Sequence, residues 1–244
     1  MARAPKKPEE IFKTFTEDYR SIYGDDLLSI ILYGSGASGH YLPGKSDLNF
    51  LMILTENRID ELEAAIPAVK RWRKRHVAVP LFMTPSYLNA SLDVYPIEFL
   101  NMKRHYIVIY GKDYLQDMDF APAHIRSQLE RELRGKIIRL REGYLHTEGN
   151  PRRLRELIRV SLTALLSMFK AILHLQGRSA PHGRRELIEA AAQVIAVDPA
   201  TFLACLEVRE GKDHLSASEI QSLFKAYLRD VRLLCNAVDG MKVP

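Results

Sequence analysis

The sequence predicts an α+β protein in two parts: a twisted mixed sheet flanked by helices over residues 1–120, then an all-helical bundle over residues 121–244. Three observations carry that expectation. In the first half, short runs rich in β-branched and aromatic residues, at 27–33 and 47–55 above all, alternate with helical stripes. After "GKDYLQDMDFAPAH" the apolar residues keep a helical spacing. The chain of 244 residues is 47% hydrophobic, enough to build a real core.

Each element has its own justification. Ile11, Phe12, Phe15, Tyr19 and Tyr23 form an apolar stripe at helical spacing over 9–23. Residues 27–33 and 47–55 are strand-like, and 59–76 is helical, ending in the cationic "KRWRKRH". Lysine and arginine suit a helix C-terminus, so that run has a structural reading. Residues 77–83 form a short apolar strand, and "TPSYLNA" opens with Thr before Pro, a helix start. The runs 95–102 and 106–110 are apolar and aromatic, and 95–102 reads as strand-like. In the second half, Ile125, Leu129, Leu133, Ile137, Leu140 and Tyr144 define one long helix that "EGNP" stops. A second long helix over 152–176 closes at Gly177, and shorter ones cover 184–196 and 199–208. Ser216 with Glu219 three residues on is a capping box that opens a last helix, to about Val238.

Composition excludes several classes. The charged fraction of 27% argues against disorder. The most apolar stretch, 157–175, is interrupted by Arg159 and Lys170 and reads as a buried helix, not a membrane span. "MARAPKKPEE" has charges with no apolar stretch behind them, which is not the pattern of a signal peptide. Cys205 and Cys235 have no metal-like spacing and sit in apolar helical patterns, as buried thiols of a cytoplasmic protein do. The first 120 residues carry 15 Lys and Arg against 16 Asp and Glu, and the remainder carries 20 against 14. The net charge of +5 therefore arises in the helical half. A basic helix face attracts polyanions, but no aromatic stacking platform accompanies this one. Nucleic acid is thus the less favoured partner. Three Arg-x4-His matches, beginning at Arg71, Arg141 and Arg209, resemble the motif of helical HEPN ribonucleases and are expected by chance in a chain so rich in arginine.

The stretch that carries chemistry is "ILYGSGASGHYLPGKSDLNFLMIL", residues 31–54. Gly34 and Ser35 follow a strand and precede a short segment of helical character, an arrangement that offers backbone N–H groups and a helix end to phosphate. Asp47 and Asn49 stand two apart at the head of the next strand, so alternation places both on one face. A strand carboxylate beside a phosphate-binding turn suits Mg²⁺, which combines few protein ligands with water and phosphate oxygens. Lys45, with Lys103 or Arg104, would supplement the positive charge, and His40 lies in the same turn segment.

This pattern resembles the nucleotidyltransferase superfamily, whose motif is hydrophobic-Gly-Ser followed, some ten residues later, by Asp-hydrophobic-Asp or Glu. The likeness covers 27–55 closely and 1–115 in layout, and the helical half resembles the bundle of antibiotic (kanamycin-type) nucleotidyltransferases. The resemblance implies phosphate binding at Gly34 and Ser35, nucleotide contacts from Lys45 and Asn49, and Mg²⁺ or Mn²⁺ held by Asp47, Asn49 and a later carboxylate. Asp47 and Glu98 are the catalytic residues it implies, with Glu98 centred in the run "VYPIEFLNMK" and Asp93 its rival. Asn49 departs from the motif, because an amide replaces the second carboxylate and removes one formal charge. The two-ion scheme of nucleotidyl transfer depends on such shared carboxylates. Three functions follow in order: a nucleoside triphosphate-binding protein that transfers a nucleoside monophosphate to a hydroxyl acceptor, a catalytically weakened nucleotide- or partner-binding relative, and a nucleic-acid-associated protein.

Overall fold

The computed structural model describes residues 4–195 and 197–241. Two compact units divide after Phe120. Residues 1–3, part of the stretch tested for a signal peptide, and Ala196, the expected end of one helix, lie outside the described residues.

In the first unit the described elements run α1 (Phe12–Tyr23), β1 (Leu27–Tyr33), β2 (Asn49–Leu54), α2 (Ile66–Arg73), β3 (Leu81–Met83), α3 (Pro85–Ala90), α4 (Pro96–Arg104) and β4 (Tyr106–Gly111). The four strands form one mixed sheet in the order β3-β2-β1-β4. β1 pairs antiparallel with both β2 and β4, and β3 joins β2 in parallel.

The sequence explains this packing. Along β1 and β2, alternate residues Ile30, Leu32, Phe50, Met52 and Leu54 meet Phe15, Tyr19 and Tyr23 of α1 and Trp72 of α2 in one buried cluster. Phe15 stacks on Phe50 at 4.1 Å between ring centroids and meets Trp72 edge-on at 5.1 Å. The Trp72 indole N–H donates to Asp18 at 2.7 Å, so its polar edge is satisfied where it is buried. The other face of the same strands, Ser29, Ile31, Leu51 and Ile53, is buried as well. Near-continuous apolar runs are what a strand covered on both faces requires.

In the second unit α5 (Pro122–His146), α6 (Pro151–Leu175), α7 (Arg184–Ile195), α8 (Ala200–Glu210) and α9 (Ala217–Asp239) form a bundle in which α6 packs against the other four. α6 is long and apolar enough to cross a membrane by length and composition. Its buried Leu162, Leu165, Phe169, Ile172 and Leu173 supply the bundle core instead. Both bonds of the Ser216–Glu219 capping box are present at α9. Cys205 and Cys235 are buried free thiols, and burial pushes both upward in pKa. Many of the arginines of this unit are paired locally, although its net basic excess of 20 against 14 is unchanged by such pairs. Arg126, Arg134, Arg153, Arg155, Arg159, Arg184, Arg185 and Arg229 each lie in an ion pair with a carboxylate of the same unit. Of the Arg-x4-His matches, Arg71 pairs with Asp18 and Arg209 donates to Thr163.

Three expectations are corrected. The run 95–102 is helical: Pro96 opens α4, and the buried pairs Ile97/Leu100 and Phe99/Met102 follow helical spacing. Strand structure near 77–83 is confined to β3 and one parallel bridge at Val77. Asp47 precedes β2 instead of belonging to it, because β2 begins at Asn49.

The register of β4 depends on Gly111. Its φ is +76°, and a Cβ there would lie 2.0 Å from the Leu28 carbonyl oxygen. Backbone cannot yield as a side chain does. Gly111→Ala is therefore expected to destabilise the protein by about 2–4 kcal/mol, combining left-handed strain with a steric clash. Urea denaturation measures it, and Gly211→Ala, at φ +68° in the left-handed region but in open space, is the milder control.

Candidate functional site

The site is built at the end of β1. Tyr33 is the last residue of that strand and pairs with Asn49 on one side and Tyr106 on the other. Gly34 then turns the chain with φ +76°, and a single 3-10 turn follows over Gly34–Gly36. The Gly34 carbonyl accepts from Ala37 N–H at 3.1 Å and Ser38 N–H at 3.0 Å. Gly34 N–H donates to the His105 carbonyl at 3.2 Å, which ties the turn to the start of β4. That N–H is consequently engaged, and no α-helix follows to add a dipole, contrary to the expectation of a helix end. Gly36 must be small, since a Cβ there would meet Leu48 Cδ2 at 2.8 Å. The Ser35 hydroxyl makes no hydrogen bond to the described residues.

Asn49 lies beside this turn. Its Nδ2 is 3.7 Å from the position a Gly34 Cβ would take, and it donates to the Asp47 carbonyl at 3.4 Å. Strand alternation puts Asn49 on the sheet face away from α1 and α2. Asp47 is 64% exposed, with its Oδ1 3.6 Å from His76 Nδ1. Burial first, and the Asp47 charge second, raise the pKa of the neighbouring Tyr41 phenol. Gly34, Ser35, Asp47 and Asn49 thus gather at one end of the two interior strands, β1 and β2.

The remaining expected residues stand differently. Lys45 is exposed in the turn over residues 42–46, where its N–H donates to Leu42 O at 3.0 Å. The Lys103 ammonium donates to the Met118 carbonyl, so it is occupied within its own fold. His40 Nδ1 lies 2.9 Å from Ser38 O. Glu98 is exposed in the first turn of α4, not in a strand. It is therefore carried by a helix and not by a strand neighbouring Asn49. Asp93 is exposed in the preceding turn. Among the described residues no group of three or more His, Cys, Asp or Glu is arranged to hold a metal ion. One exposed carboxylate, an adjacent amide and a helix-borne glutamate do not fit the shared-carboxylate set that two close ions need.

Sequence reasoning missed His76 as a neighbour of Asp47. It ends the basic run "KRWRKRH", which has a sufficient reading as a helix terminus. A groove of ≈ 500 Å³ lies at the opposite end of β2 and β3, lined by Glu56, Asp60, Phe82, Ser86 and Tyr87 among others. Glu56 accepts from Ser86 there at 2.6 Å. Its two carboxylates make it a poor place for phosphate.

No family model and no curated protein matches the sequence. Among solved structures, the chain is similar to spectinomycin adenyltransferase AAD(9) from Enterococcus faecialis, determined with ATP and spectinomycin. The two share 14% identity and a TM-score of 0.59, over 96% of this chain and 100% of that one. The chain shares the fold of that adenyltransferase. A mixed α/β sheet unit followed by a helical domain is thus common to both, as the resemblance implied.

Gly34 is a point where this geometry is testable. A Cβ would meet only an ordinary contact with Asn49, so the cost of Gly34→Ala is conformational. A loss of about 1–2 kcal/mol is expected from the left-handed φ alone, measured by denaturant titration. A neutral substitution would show that the turn tolerates an L-residue.

Proposed function

We propose that the chain binds a nucleoside triphosphate at the end of β1 and β2, where Gly34, Ser35, Asp47 and Asn49 lie. The observation that carries this reading is the meeting of a left-handed glycine-serine turn with Asp47 and Asn49 at one end of a nucleotidyltransferase sheet. Ser35 donates its hydroxyl to phosphate in this reading, Asn49 orients the polyphosphate through its amide, and Lys45 supplies a screened positive charge. The cation, Mg²⁺ or Mn²⁺, arrives with the nucleotide and takes Asp47 as its protein ligand. A nucleotide-borne ion needs few protein ligands, because phosphate oxygens and water complete its shell.

Transfer of a nucleoside monophosphate to a hydroxyl acceptor is the reaction that belongs with this fold. Asn49 and the position of Glu98 limit it here. The amide carries no charge, and the glutamate stands on a helix instead of a strand beside Asp47. Binding with weakened transfer is therefore the reading best supported by the geometry. The helical unit keeps a net basic excess, but no aromatic stacking platform accompanies it, so a nucleic-acid role ranks last.

Calorimetry with the four nucleoside triphosphates tests the reading. Binding is expected only with Mg²⁺ or Mn²⁺ present, to weaken about tenfold in Ser35→Ala for one lost hydrogen bond to a charged phosphate, and to disappear in Asp47→Asn. Asn49→Asp should tighten binding in the presence of the cation and lower the melting temperature in its absence, because two adjacent carboxylates repel unless an ion lies between them. Triphosphate binding untouched by Ser35→Ala and Asp47→Asn would place the nucleotide elsewhere.

A further inference from the structure

Asp47 and His76 are neighbours because of one backbone pairing. Leu48 and Val77 form a parallel bridge. Leu48 N–H donates to His76 O at 2.9 Å, and Ala78 N–H donates to Leu48 O at 3.0 Å. The residues just before the two bridged positions are thereby set side by side. His76 Nδ1 and Asp47 Oδ1 stand 3.6 Å apart, and both side chains are partly open to solvent. That separation is too long for a good hydrogen bond. It is close to what two ligands of one ion keep: bonds of about 2.0–2.2 Å at a tetrahedral angle place donor atoms about 3.4 Å apart.

His76 also holds a left-handed backbone conformation, which is uncommon for residues other than glycine although histidine tolerates it better than most. Its φ is +61°; Glu148 is the other described non-glycine residue with a positive φ. The cause is the end of α2. Val77 N–H donates to Trp72 O and His76 N–H donates to Arg73 O, both at 3.2 Å. This is the bond pattern of a Schellman cap, and His76 occupies the left-handed position where glycine fits best. A residue kept at a conformational cost points to a use for its side chain. The imidazole has no structural duty in the cap, which is made entirely by backbone groups.

We propose that Asp47 and His76 together bind a divalent transition-metal ion, with imidazole nitrogen supplying a ligand where Asn49 withholds a carboxylate. Imidazole suits the later first-row ions such as Co²⁺, Ni²⁺ and Zn²⁺, whereas Mg²⁺ prefers oxygen. Two protein donors leave the rest of the shell to water or to phosphate oxygens. The site rests on the nucleotide reading only for its place beside the triphosphate, because the ion contacts need no nucleotide.

The test uses the full chain without an affinity tag, titrated with Co²⁺ alone and read by melting temperature and calorimetry. Co²⁺ is expected to raise the melting temperature of the wild type, and Mg²⁺ at the same concentration is not. His76→Gly and His76→Asn both tolerate left-handed backbone. They should keep or raise the melting temperature without metal while weakening Co²⁺ binding at least tenfold, a combination that a purely structural histidine would not give. Asp47→Asn should weaken Co²⁺ binding likewise. ATP binding by the wild type with Mg²⁺ is a separate arm, whose failure counts against the nucleotide reading and not against the Co²⁺ result. A wild type without a Co²⁺ response, or a response unchanged in His76→Gly and His76→Asn, overturns the metal site.

Discussion

The pairing of β1 on both sides is the constraint from which the site follows. An interior strand must have its backbone groups met by two neighbours, and β1 has β2 along one side and β4 along the other. At its last residue, Tyr33 faces Asn49 and Tyr106 at once. The chain then has to leave the sheet between two occupied strands. Gly34 does so in a left-handed conformation, anchored by its N–H to the carbonyl of His105. The glycine-serine turn, the amide of Asn49 and the start of β4 therefore come together for reasons of backbone hydrogen bonding, before any ligand is considered.

The same logic extends to the other edge of β2. One residue before Asn49, Leu48 is drawn into a parallel bridge with Val77. That bridge brings the end of α2 against the approach to β2 and places His76 beside Asp47. The buried cluster of Phe15, Phe50 and Trp72 beneath fixes α2 from its other side. An apolar core on one face of the sheet thus determines which polar groups meet at its rim. Asp47 itself is exposed, and this is consistent with a ligand that meets a solvated ion and inconsistent with a structural ion pair buried for stability.

Much of this was legible in the sequence, and the gaps have physical causes. β1 matches its expected limits, because "LLSIILY" is a dense β-forming run between Gly24–Asp26 and Gly34. The capping box of α9 and the Thr84 cap of α3 were readable from residue type and spacing, and both make their bonds. α4 was misread because an apolar run of eight residues does not distinguish strand from helix by hydrophobicity alone. The proline at position 96 held the answer, since it favours a first helical turn. That single misreading moved Glu98 from a strand to a helix. His76 escaped notice because its partnership with Asp47 arises from a bridge between residues 29 apart in sequence, which no local pattern encodes.

In the proposed reading a nucleoside triphosphate occupies the end of β1. Amide resonances followed in a titration of the ¹⁵N-labelled 27.9 kDa chain with Mg-ATP test it most directly. The largest shifts are expected at Ser35, Gly36, Leu48 and Asn49, with His105 following through its bond to Gly34. Shifts confined to the groove of Glu56, Asp60 and Tyr87 at the opposite end of the sheet, or to the helical unit, would contradict it.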